Sequence, residues 1–151
     1  MNNVTKNNKV NEDIQLTKKY INLVSFYFRQ FKVDCDSCHS KTEVEFHPYF
    51  NQLWNLIHSL PFKLLTEFNE NNLLKKNIFN FYYKFKFLPC QICKKHYTDY
   101  LKKFSFNKIK SNLDLQNWTI NLHNNVNIRL NKRIYNYNYA KIKYTNYVAD
   151  I

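Results

Sequence analysis

An all-α fold is predicted for this chain by three observations. None of its 151 residues is glycine and only three are proline. The tight hairpin turns of all-β folds depend on glycine, so a sheet is disfavoured. Apolar residues recur instead at i, i+3 and i+4 over several long segments, the spacing of one buried helix face. Aromatic side chains make up 18% of the chain (13 Phe, 12 Tyr, 2 Trp), enough bulk for a single domain of this length to build a core. The expected architecture is a compact bundle of four to five helices with an arm in front.

The elements follow in order. Residues 1–13 are polar and expected to be disordered. Ile14, Tyr20, Ile21, Val24, Phe28 and Phe31 fall near helical spacing, which predicts an N-terminal helix or partner-seeking arm. Residues 33–46 read as a loop. Pro48 suits the first turn of a helix whose apolar face is Leu53, Trp54, Ile57 and Leu60, with Pro61 ending or interrupting it. Leu74, Ile78, Phe81, Tyr82 and Phe85 predict a helix from about 73 to 87, stopped by Pro89, which lacks an N–H and disfavours the α conformation at Leu88. Phe79, Phe81, Tyr82, Phe85 and Phe87 are expected in the core and a dimer interface. A third helix runs from Gln91 to about Phe104. A fourth opens at Ser111, where Ser111-x-x-Asp114 resembles a capping box, and continues through Leu115, Trp118, Leu122, Val126 and Leu130. Asn131 is expected in the left-handed position that ends it. The Tyr- and Asn-rich stretch from Arg133 onward is ambiguous. Tyr135, Tyr137 and Tyr139 offer either stacking to an adenine or closure of the bundle.

Composition excludes whole classes of function. Without glycine there is no P-loop and no dinucleotide fingerprint, so any nucleotide cofactor must be held by side chains on helices. Residues 1–11 lack the apolar centre of a secretory signal, which makes cytosolic synthesis the expectation. Ile21–Phe31 is too short and too polar to span a bilayer. The 23 basic against 11 acidic residues give a net charge of +12. Between Lys63 and Lys110 stand 11 lysines against Glu67, Glu70 and Asp99. Such a belt attracts phosphates, acidic partners or nucleic acid. No nucleic-acid motif accompanies it, so it reads as a solvated helical face. Abundant Asn, Lys, Ile, Phe and Tyr also fit an A/T-rich genome, which weakens any argument from charge alone.

The four cysteines form two C-x-x-C pairs, Cys35/Cys38 and Cys90/Cys93. Cys90 and Cys93 open a predicted helix whose positive end stabilises a thiolate, with Lys94 and Lys95 adding charge. That is a geometry for thiol–disulfide exchange. The other reading is zinc, with both pairs as four ligands in a basic binding module without enzymatic activity; His39 beside Cys38 is its best support. Downstream, His123 and Asn127 lie one turn apart on one helix with Asn124 beside them. An imidazole and two carboxamides stand where core residues are expected. Buried amides must be satisfied, so a flat polar ligand fits this face. A solvated, Asn-rich face is the plainer alternative.

Taken together, Trp54-x3-His58, Pro89-Cys90-x-x-Cys93-x-x-His96 and Trp118-x4-His123-Asn124-x-x-Asn127-x-x-Leu130-x-Lys132 resemble the Erv/ALR family of FAD-linked sulfhydryl oxidases. The resemblance covers about residues 46–135. It implies an all-α four-helix bundle plus a short fifth helix, with an N-terminal helical arm. The implied organisation is an arm over 1–45, an oxidase domain over 46–140 and a tail over 141–151. It also implies FAD as cofactor, no metal, and a redox disulfide Cys90–Cys93 with Cys93 nearest the flavin and Cys90 meeting the incoming dithiol. Trp54, His58, His96, Trp118, His123, Asn124, Val126, Asn127, Leu130 and Lys132 fall on cofactor-lining positions. Cys35 and Cys38 match a shuttle pair, although Asp34 and Asp36 disfavour a thiolate there. The activity implied is oxidation of protein dithiols, such as a thioredoxin-like or small thiol carrier, with electrons passed to O2 to give H2O2. A homodimer, no nucleic acid, no membrane span and a cytoplasmic location are expected. The sequence departs from the family pattern at Asn131 and Arg133, where Gly and Pro are usual, and upstream of Trp54, where Gly-Arg is missing. No cysteine follows Cys93, and the segment between His58 and Cys90 is short. Short versions of this kind are typical of large DNA viruses, whose host cytoplasm or virion would then be the location.

Overall fold

The computed structural model describes residues 3–30 and 48–149. These form six α-helices with no strand among the described residues: α1 (Asn3–Gln30), α2 (Pro48–Lys63), α3 (Asn72–Tyr83), α4 (Gln91–Lys103), α5 (Asn112–Arg129) and α6 (Tyr137–Thr145). Helices α2 to α5 make the four-helix bundle and α6 is the short fifth. Helix α2 is the hub, packing against α1, α5 and α6, and α1 also lies along α3. Cys35, Cys38, His39 and His47, with the loop expected over 33–46, lie outside the described residues.

Helix starts are set by local chemistry. The side chains of Asn71, Ser111 and Asn136 each accept a hydrogen bond from the backbone N–H three residues on, at Leu74, Asp114 and Tyr139, so each satisfies one of the orphan donors of the first turn. At the end of α5, Asn131 has φ 56°. The Lys132 N–H reaches Asn127 O at 2.8 Å and the Asn131 N–H reaches Ile128 O at 3.3 Å. These are the two bonds of a Schellman stop, and asparagine takes the position that glycine usually fills. The 3-10 turn Lys84–Phe87 carries the end of α3 toward Pro89.

Three expectations are corrected. The disorder expected over 1–13 is helix from Asn3 onward. Val10 and Ile14 are buried one turn apart, and between them the buried Asp13 accepts from Leu65 N at 2.8 Å, Thr66 N at 2.9 Å and the Thr66 hydroxyl at 2.6 Å. A polar residue in a polar stretch is here what holds the turn after α2. Secondly, Phe87 is not core but 71% exposed, because two residues on from the buried Phe85 a helical turn carries the side chain about 200° round, to the opposite side. The stretch after Arg133, ambiguous in sequence, contains α6.

Pro61, lastly, does not end α2, which continues to Lys63. A proline inside a helix leaves the carbonyl four residues back without its N–H donor; here that carbonyl belongs to Ile57. The buried Tyr82 hydroxyl donates to Ile57 O at 2.8 Å and supplies the missing partner. Tyr82→Phe removes that donor and leaves a buried carbonyl unsatisfied, so urea unfolding should show a loss of about 1–3 kcal/mol. An unchanged unfolding midpoint would show that Ile57 O needs no partner.

Candidate functional site

Helix α4 begins where Pro89 forces an extended backbone. Cys90 becomes its N-cap, and the Cys90 Sγ accepts from Cys93 N at 3.4 Å. Both sulfurs therefore sit within the first turn, at the positive end of the α4 dipole. Cys90 is buried and Cys93 half-buried. Both line a cavity of about 1240 Å³ enclosed by α2, α4, α5, α6 and the 130–136 segment. That exceeds the roughly 300–1,000 Å³ typical of small-molecule pockets, so a ligand of dinucleotide size fits.

The opposite wall is a stack of rings tying α2 to α5. Trp54 lies face to face with His123, centroids 3.8 Å apart and planes 5° apart. Behind them His58 Nε2 is 2.7 Å from His123 Nδ1, and His58 Nδ1 is 3.2 Å from Thr119 Oγ1. The protons on this chain can be assigned from its far end. The Thr119 hydroxyl donates to Gln116 O at 2.8 Å, so its oxygen accepts from His58 Nδ1–H. His58 Nε2 is then an acceptor and His123 Nδ1–H the donor, which leaves His123 Nε2 as a lone-pair nitrogen. Both rings must be neutral for this. Burial first, then the charge of Lys143, holds His123 down to about 3. Burial, then His123 and Lys143, keeps His58 well below the ordinary histidine range. Tyr144 stacks on His58 from α6 with centroids 4.8 Å apart.

The cavity is strongly positive. Arg129, Lys132, Arg133 and Lys143 line it, and no carboxylate does so among the described residues. Burial lowers the Arg129 guanidinium, opposed by the nearby Cys93; burial also lowers Lys132. The Lys143 ammonium is held over three tyrosine rings, 5.7 Å from Tyr135, 5.9 Å from Tyr139 and 5.3 Å from Tyr144. These contacts fix a cation in place without neutralising it.

Nine of the residues singled out from sequence meet on this cavity: Cys90, Cys93 and His96 from α4, Trp54 from α2, His123, Val126 and Asn127 from α5, then Leu130 and Lys132. Three are not among the residues that line it. Trp118 is core, packed among Tyr82, Tyr97, Tyr100 and Phe106, with its indole N–H on Phe104 O at 2.9 Å. Asn124 clamps the backbone of Tyr135, donating to its carbonyl and accepting from its N–H, both at 2.8 Å. His58 supports His123 from the interior. Arg129, Lys143 and Tyr144 were not anticipated. Arg129 continues the Leu122–Val126 stripe and was findable from helical phase; Lys143 and Tyr144 required α6 to be read as a helix.

Among the described residues, no group of three or more His, Cys, Asp or Glu could hold a metal ion, and no helix is long and apolar enough to cross a membrane. The chain is similar to proteins named FAD-linked sulfhydryl oxidase from African swine fever virus. The pig isolate from Kenya, the tick isolate from Malawi and the warthog isolate from Namibia are each 47% identical to it over 47 residues, which is 31% of this chain and 39% of each relative. The match thus spans well under half the length of these curated relatives. No solved structure matches the chain. The model of the Erv1 / Alr family matches residues 51–145, the stretch that builds α2 to α6 and the cavity between them, and this chain belongs to that family.

Proposed function

We propose that this chain is an FAD-dependent thiol oxidase that oxidises protein dithiols to disulfides and delivers the electrons to O2 as H2O2. One observation carries the reading: a C-x-x-C at a helix N-terminus shares a dinucleotide-sized cavity with an aromatic–imidazole wall and four cations. These residues fit FAD. Trp54, His96, His123, Val126, Asn127 and Leu130 offer flat, mostly apolar surface and polar edges to a ring system. Lys132, Arg133 and Lys143 suit a pyrophosphate, which side chains must bind because the chain has no glycine loop to do so. When bound, the flavin supplies the two-electron acceptor for the dithiol and the chemistry with O2.

The chain's own residues account for the rest. The N-terminus of α4 favours a thiolate in its first turn. The tie of Asn124 to Tyr135 closes the 130–136 segment over the cavity. The Tyr97 hydroxyl donates to Tyr82 O and the Tyr100 hydroxyl to Trp118 O, so α4 is anchored to α3 and α5 and Cys90 and Cys93 hold their place. A substrate thiolate attacks the Cys90 sulfur and displaces Cys93 as a thiolate; the second substrate thiol then attacks the substrate sulfur of the mixed disulfide, which releases the oxidised substrate and leaves Cys90 and Cys93 reduced. Cys35 and Cys38 act as a shuttle upstream of Cys90. In support of reach, Tyr27 near the end of α1 meets Tyr49 at the start of α2 with centroids 5.6 Å apart, and Phe28 packs on the cavity residue Phe85 at 5.9 Å. The end of α1 and the start of α2 thus meet beside the cavity. The partners in this reading are a dithiol protein, O2 and a second copy of the chain, acting in cytoplasm.

Three outcomes are expected. Purified protein should be yellow, with flavin absorbance near about 450 nm; colourless folded protein would overturn the reading. Cys93→Ser should lower dithiothreitol oxidation at least about 100-fold, as loss of a residue in the covalent chain does, while flavin stays bound. Cys35→Ser should spare dithiothreitol turnover and impair turnover of a protein dithiol, and equal turnover of both would remove the shuttle.

A fourth concerns pH. His58 and His123 are neutral when folded and their values are depressed, so their contribution is complete above the unfolded value near 6.5 and declines as pH falls from there toward about 3. The urea midpoint should therefore drop between pH 6.5 and 4, and His123→Phe should flatten that slope. An equal slope in both proteins would contradict the neutral pair.

A further inference from the structure

We infer that Arg129 is a positioning residue for the redox pair: its guanidinium stabilises the Cys93 thiolate and so sets how readily the Cys90–Cys93 disulfide is reduced. The inference deepens the oxidase reading and rests on it for its biological use, but its physical content stands on the fold.

The end of α4 is tied to Trp118 of α5, whose indole N–H donates to Phe104 O at 2.9 Å. Tyr100, late in α4, donates to Trp118 O in the first half of α5. Cys93 in the first turn of α4 and Arg129 in the last turn of α5 line the same cavity, together with Val126 and Leu130 on either side of Arg129. The alternative role for Arg129 is to offset the negative end of α5, as a basic residue in a last helical turn does. The Schellman bonds from Asn131 and Lys132 already serve two of those carbonyls, which weakens that alternative.

The electrostatics agree. Burial pulls the Arg129 guanidinium down and the charge on Cys93 pushes it back up. Coupling between two charges is mutual, so the same interaction favours the thiolate. No carboxylate of the cavity wall competes for the guanidinium among the described residues. Lys132, Arg133 and Lys143 line the cavity beyond it and suit the phosphates; Arg129 is the cation whose electrostatics register the sulfur.

The effect is readable without turnover. Reduction by glutathione breaks the Cys90–Cys93 bond, consumes two glutathione thiols and forms one glutathione disulfide. The sulfurs leave as a Cys90 thiol and a Cys93 thiolate, whose proton goes to solvent. Stabilising that thiolate makes the disulfide easier to reduce. The full chain would be equilibrated in glutathione buffers, the thiols trapped, and the Cys90–Cys93 peptide quantified by mass spectrometry.

Arg129→Gln and Arg129→Met, neutral side chains of different shape, should each lower the equilibrium constant for reduction about 3- to 10-fold, tenfold being about 30 mV for this two-electron couple. They should also move Cys93 alkylation to higher pH. Arg129→Lys should restore most of the wild-type value. Lys108→Gln removes an exposed charge at a distance and should change neither. The inference is overturned if both neutral variants titrate with wild type, or if Lys108→Gln shifts the constant as much. Failure here and failure of the oxidase reading are distinct: a yellow, active Arg129→Gln with an unmoved constant sinks only the role of Arg129, whereas colourless protein sinks only the flavin.

Discussion

The hydrogen bond between His58 and His123 is the contact on which the rest of the site depends. It joins α2, the hub of the bundle, to α5, and it does so with polar groups in a region that excludes water. Burying two imidazoles is costly unless each nitrogen is matched. The chain from Gln116 O through Thr119, His58 and His123 supplies that match for three of the four nitrogens with one assignment of protons. That assignment keeps both rings neutral, orients His123 under Trp54, and leaves one nitrogen unprotonated. The wall is therefore rigid before any ligand arrives, which reduces the ordering cost of binding.

A second constraint is the missing glycine. Without it the backbone has no cheap route to phosphate, and recognition moves to side chains carried on helices. The consequences are visible around the cavity: cations from three places along the chain, a lysine steadied over tyrosine faces, and the C-x-x-C placed by a proline rather than by a flexible turn. Where the fold needs a left-handed residue, Asn131 serves. Where a proline interrupts α2, Tyr82 repairs the ladder from a neighbouring helix. Aromatic side chains with a polar tip do much of this joining, because one residue both fills the core and satisfies a carbonyl.

Much of this was legible in the sequence, for identifiable reasons. The starts of α4 and α5 followed from Pro89 and Ser111, which act locally, and Asn131 was legible because few residues adopt positive φ. The cavity residues of α5 were legible from phase once the imidazole and carboxamides were seen in a core stripe. What escaped depended on distant partners. The onset of α1 rests on Asp13 meeting Leu65 and Thr66 across the fold. The persistence of α2 past Pro61 rests on a tyrosine 21 residues later. Trp118 and Asn124 share the motif with true cavity residues, yet their side chains turn to the core and to Tyr135. Motif spacing gives membership of a face, and only packing decides which side of that face meets the ligand.

The central claim is that this cavity holds FAD through a flat aromatic–imidazole wall and a cationic rim. Calorimetric titration of flavin-depleted protein with FAD and with riboflavin, at low and high salt, tests it most directly. The account predicts one FAD per chain, affinity that weakens as salt rises, and riboflavin weaker by about 100-fold or more for want of phosphates. Absence of binding, or riboflavin and FAD binding alike and indifferent to salt, would contradict it.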